Sequence, residues 1–148
     1  MREILFRGKR IDNGEWAEGS LILAEDFCCI LEAEDKVHPM DYPYFDGDIG
    51  IIDGNVTPVD PATVGQYTGL TDKHGRRIFE GDIVDHYYQK GFSNRGVVMW
   101  DSENARFAHE LRSMSPAFSL YNPEAWEVIG NIHDNPELLN GGVENGRF

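Results

Sequence analysis

The chain has 148 residues, with 13 Lys and Arg against 26 Asp and Glu for a formal charge of −13, 41% apolar residues and two cysteines. That length supports one core, or one core with a smaller companion, and excludes three or more ordinary domains. Apolar runs such as residues 21–24 and 27–31 fall far below the ~20 residues of a spanning helix, which excludes a membrane-crossing helix and a membrane partner of that kind.

Residues 1–9 place a charge inside every short apolar run. They lack the apolar core of a secretory leader, so the expected compartment is the cytoplasm. From there the chain reads as mostly β. Short runs rich in Val, Ile, Phe, Tyr and Trp are broken at intervals by Gly, Pro, Asn or Asp, with little helical periodicity. The expected strands are residues 3–7, 16–24, 27–31, 49–52, 64–67, 83–88, 96–100, 106–110 and 126–132. Turn chemistry falls at Asp12-Asn13-Gly14, Asp53-Gly54-Asn55 and Lys73-His74-Gly75. Adjacent Cys28 and Cys29 on a strand would face opposite sides and form no disulfide framework, reading as free thiols in a reducing compartment. Near the end, Asn135 can cap a short helix over residues 136–139, with Pro136 at its first position and Glu137 beside its positive end. The Gly-rich tail 141–148 is expected to fray.

Charge is unevenly spread. Residues 25–60 hold ten acids and one lysine, a net −9 of the total −13. This field repels phosphate and argues against general nucleic-acid binding. Basic residues gather at two turns, Arg7, Lys9 and Arg10, and Lys73, His74, Arg76 and Arg77. Solvated hairpin tips are the plain reading of both. The acidic, turn-rich stretch ends near Asp60-Pro61, which predicts an N-terminal β subdomain over 1–60 and a second subdomain over 61–140.

The run Gly69-Leu70-Thr71-Asp72-Lys73-His74-Gly75-Arg76-Arg77-Ile78-Phe79-Glu80-Gly81-Asp82-Ile83-Val84 resembles the signature of the YopX family of phage and prophage proteins. Ile4 to Lys9 with Trp16, the lead-in Asp60 to Tyr67, Gly96 to Trp100, and Glu127 to Leu139 are similar to that family too, so the resemblance spans nearly the whole chain. It implies a phage or prophage origin in a bacterial host and supplies no activity, cofactor or catalytic residue. The signature also has its own physical reading. A turn at Gly75 and a bend at Gly81-Asp82 make it a fold determinant. The strands that follow it resemble the order of a small SH3-like barrel of strongly bent strands.

Several chemistries can be weighed. Asp46, Asp48 and Asp53 lie among glycines and could supply oxygen ligands to Mg²⁺ or Ca²⁺, but Gly50 and Ile51 stand where an EF-hand loop needs a ligand and a glycine. His38, His74, His86, His109 and His133 form no zinc-type pair. No nucleophile elbow, Walker loop or dinucleotide fingerprint follows an expected strand, and no cofactor is expected. Tyr42, Tyr44 and Phe45 cluster among acids, and Tyr87 and Tyr88 follow the signature strand. Such aromatic residues pack a core or, when exposed, anchor an interface. The leading expectation is therefore a non-enzymatic phage accessory protein that binds a protein partner and self-associates. Its candidate binding residues are Tyr42, Tyr44, Phe45, Lys73, Arg76 and Arg77. The alternatives are a nucleic-acid-associated factor using the two basic turns, an acidic mimic of DNA, and a metal-dependent enzyme using Asp46, Asp48 and Asp53.

Overall fold

A computed structural model describes residues 1–32, 56–89, 92–111, 114–119 and 125–140. The chain forms two compact units, Met1–Gln66 and Tyr67–Phe148, and is mainly β, with antiparallel sheets and only short helical turns among the described residues. Expected strand 49–52, the turn at 53–55 and the tail lie outside the described residues.

The first unit contains β1 (Phe6–Lys9), β2 (Trp16–Ala24), β3 (Phe27–Glu32), β4 (Val56–Pro58), a 3-10 turn (Pro61–Thr63) and the start of β5 (Gly65–Thr71). Their hydrogen-bonded order is β4-β3-β2-β1-β5. Alternation along β2 turns Ala17 inward, where it packs with Ile30 and Val59, flanked by Phe6, Leu21, Cys28 and Val64. Gly8 is required by that packing, because a Cβ there would sit 2.9 Å from the Cβ of Val59. Cys28 and Cys29 are free, they pair with Leu23 and Ile22 across the ladder, and burial raises both thiol pKa values. Asp60-Pro61 opens an ordered turn. The Asp60 side chain accepts from the Ala62 N–H (3.0 Å), its own N–H donates to the Lys9 carbonyl (2.8 Å), and the Thr63 hydroxyl accepts from the Lys9 N–H (2.8 Å).

The second unit contains the end of β5, then β6 (Arg77–Phe79), β7 (Asp82–Gln89), β8 (Phe92–Asp101), β9 (Arg106–Leu111), β10 (Met114–Ser119), β11 (Trp126–Asn131) and a 3-10 turn (Pro136–Leu139). Its five-stranded order is β10-β9-β8-β7-β11, and no pairing that would close it into a barrel is present among the described residues. Ile78, Val84, Val98 and Trp126 make the core, with Leu70 and Val128 against it. His86 stacks on Trp126 (centroids 4.3 Å apart) and buried His109 meets the same ring edge-on (4.7 Å). β4, β6 and β10 are additional to the expected strands, and β1 begins at Phe6 rather than residue 3.

The last element departs from a capped α-helix. Asn135 makes no side-chain cap bond to the turn it precedes. Its Oδ1 instead accepts from the Asn131 N–H (3.3 Å), while the Asn131 Oδ1 accepts from the N–H groups of His133 and Asp134. Arg95 joins this turn to the sheet: its guanidinium holds Asp85 with two bonds (2.9 and 3.2 Å) and donates to the Leu138 carbonyl (3.2 Å).

Two substitutions test these contacts through urea denaturation. A Cβ on Gly130 would fall 2.9 Å from Leu138 Cδ1 and collide with the Asn135 amide, so Gly130→Ala should cost roughly 1–3 kcal/mol of stability. Ala105, in the β8–β9 turn, holds φ at 50°. Ala105→Gly should gain about 0.5–1 kcal/mol, relief of left-handed strain exceeding the added backbone entropy.

Candidate functional site

The two aspartates of the 69–84 segment are spent on backbone. Asp72 is 5% exposed. Its Oδ1 accepts from the N–H groups of His74 and Arg76 (2.9 Å each) and its Oδ2 from that of Val128 in β11 (3.0 Å). The Gly75 N–H donates to the Asp72 carbonyl (3.0 Å), closing the turn, and Gly75 stands at φ 79°. Gly69 and Gly81 share that left-handed region at 86°, so all three glycines of the motif are conformational requirements. Asp82, 1% exposed, accepts from the Phe79 N–H (2.8 Å) and fixes the β6–β7 bend.

The turn also lies along the outer edge of β11. The Lys73 N–H donates to the Trp126 carbonyl (3.0 Å), Asp72 takes the Val128 N–H, and the Arg76 guanidinium donates to the Val128 carbonyl (3.4 Å). Lys73 and His74 both pair with Glu127 (3.3 Å each), and the Arg77 guanidinium lies 5.8 Å from the centre of the Tyr67 ring. Lys73, Arg76 and Arg77 are thus gathered by one turn and directed at their own unit. At the other basic turn, Arg10 binds Asp12 through two bonds (2.8 and 3.0 Å), while the Arg7 guanidinium (4.6 Å) and the Lys9 ammonium (5.6 Å) lie over the Trp16 ring. Tyr42, Tyr44, Phe45, Asp46, Asp48 and Asp53 lie outside the described residues. Among the described residues no group of three His, Cys, Asp or Glu is placed to hold a metal, and no helix is long and apolar enough to cross a membrane.

An aromatic pair with one exposed member, Trp100, escaped the sequence reading. Trp100 and Phe107 oppose each other where β8 and β9 approach their turn, the rings edge-to-face at 5.0 Å, and Trp100 keeps 46% of its surface exposed. Beneath the turn Asp101 accepts from Asn104 (2.8 Å) and Arg106 (3.0 Å), which holds the carboxyl below its ordinary pKa and the hairpin end in place. In the first unit the β2–β3 hairpin end exposes Leu23 (68%) and Phe27 (42%).

Fold and site together define an antiparallel β protein of two units, the second shaped by a glycine and aspartate motif. The model of the YopX family, described as YopX protein, matches residues 6–140, and the chain belongs to that family. It is also similar in structure to protein EF1440 from Enterococcus faecalis, at a TM-score of 0.54 and 23% identity over 94% of this chain and 99% of that one, a likeness of fold. No curated protein matches the chain.

Among the described residues, His86 and Asp72 each make stability depend on pH, and Asp101 adds to the carboxylate part. Burial lowers the His86 pKa, so its contribution is complete above about 6.5 and is lost as pH falls through the folded value. Burial alone would raise the Asp72 pKa, but the N–H groups of Val128, Arg76 and His74 outweigh it and lower it. Its contribution is therefore present above about 3.9 and lost as pH falls through the lower folded value. Stability measured against pH should decline in two legs. His86→Phe should flatten the first, and Asp72→Asn should shrink the second, the latter also costing roughly 1.5–3 kcal/mol at pH 7.

Proposed function

We propose that this YopX-family protein is a non-enzymatic phage or prophage accessory protein that works in the bacterial cytoplasm by binding another protein. The observation that carries this reading is Trp100, a large aromatic exposed on a sheet, set edge-to-face against Phe107 beside the Asp101-braced turn. An aromatic anchor that is already ordered loses little entropy on docking, which is why such residues dominate binding energy. The motif acids Asp72 and Asp82 are engaged by backbone N–H groups, so their role is accounted for by the fold. The net −9 of residues 25–60 favours a basic partner, with charge steering the encounter and Trp100 supplying the anchor.

A nucleic-acid reading draws on the cations Arg7 and Lys9 over Trp16, a combination that also suits a phosphate and base. It has to overcome the negative field, and Arg10 is matched by Asp12 beside it.

Affinity capture of the tagged protein from lysate of its host, with and without nuclease, separates the two. Protein binding requires a partner that survives nuclease and is lost with Trp100→Ala while the variant stays folded. Capture unchanged by Trp100→Ala removes the anchor argument. Co-purified nucleic acid, with protein partners lost on nuclease treatment, replaces the reading by the second one.

A further inference from the structure

Strand β11 ends the five-stranded order of the second unit, so one side of its main chain is turned away from the sheet. An edge of this kind is a template for a further strand. In β11 three successive outward groups, the carbonyl of Trp126, the N–H of Val128 and the carbonyl of Val128, are taken by the Lys73 N–H, the Asp72 carboxylate and the Arg76 guanidinium. The donors and acceptors alternate as those of a neighbouring strand would, although one comes from backbone and two from side chains. Glu127, between them, meets the Lys73 ammonium and the His74 ring, each at 3.3 Å.

We infer that the 72–76 turn is an edge guard, and that without it β11 pairs with β11 of a second copy of this chain. The second copy is the occupant because the edge is self-complementary. An antiparallel pair centred on Val128 exchanges both of that residue's main-chain bonds with its twin. It sets Glu127 opposite Ile129 and Trp126 opposite Gly130, so no like charges face each other. The opposite edge strand, β10, carries Pro116 between residues where its ladder shifts, a familiar device for blunting an edge. β11 has no proline, and the turn supplies the protection instead.

Sedimentation velocity of the purified protein over a concentration series tests this with two variants. Asp72→Ala removes the acceptor of the Val128 N–H. Lys73→Pro removes the donor to the Trp126 carbonyl at the second position of a β-turn, where proline is well accommodated. Each should self-associate beyond the wild type, with a dissociation constant about tenfold lower or less, the worth of one or two main-chain bonds. Adding Val128→Pro, which deletes the N–H at the centre of the pairing, should return the mass to the wild-type value. If Asp72→Ala does not fold, Lys73→Pro combined with Arg76→Ala, which together free the carbonyls of Trp126 and Val128, decides the question. Folded variants that keep the wild-type mass, or association that persists with Val128→Pro, overturn the edge guard.

Discussion

A buried carboxylate that accepts three backbone N–H groups organises the second unit. Asp72 touches its own turn twice and a strand more than fifty residues away once. An ionised carboxylate taken out of water is costly unless its lone pairs are met. Here they are met by main-chain donors, which cannot rotate away as lysine or arginine can. The charge therefore fixes two pieces of backbone relative to each other: the loop closing at Gly75 and the register of β11 beside it. Trp126 and Val128 lie on that strand, so the packing of the core around Trp126 depends on where Asp72 holds the main chain.

The neighbouring motif positions follow the same logic. Asp82 grips the Phe79 N–H across the next bend, and Gly69 relieves a shift in the β5–β6 ladder where the Thr68 hydroxyl donates to the Ile78 carbonyl (2.8 Å). Asn131 and Asn135 repeat it near the end of the described chain, their amide oxygens accepting backbone N–H groups. Small strands with tight bends expose many unpaired main-chain groups, and short polar side chains are the nearest means of satisfying them. A motif dense in Gly, Asp and Asn is what such a chain requires, before any question of ligand or substrate arises.

This division explains what could be read in the sequence. Strands β2, β3, β7 and β11 announce themselves by β-branched and aromatic runs between turn residues. Residues 77–79, 56–58 and 114–119 do not: two are three residues long, and two contain proline. Their extended form comes from the strand each pairs with, β5, β3 and β9 respectively, and not from their own residue preferences. Residues 136–139 show the converse. The proline marks the right place, but Asn135 is drawn to Asn131, and the element is a single 3-10 turn. Trp100 was hidden by alternation. It shares a parity with buried Val98, so its side of β8 reads as core, yet the core ends at the hairpin and leaves the indole in solvent. The basic turn was legible as a cluster and obscure as a contact, since nothing in residues 73–77 shows that Glu127 and the edge of β11 lie beside them.

In the second unit Asp72, Asp82, Asp85, Asp101 and Glu127 each meet a donor or a cation, so their charge is largely spent at short range. Field beyond the surface comes from charges without such compensation, and it reaches about 8 Å at physiological salt. Residues 25–60 carry ten acids against one lysine and account for −9 of the total −13. In sequence that charge is concentrated from the turn before β3 to the turn that follows β4, whereas the named carboxylates of the second unit are engaged at short range and fix its geometry.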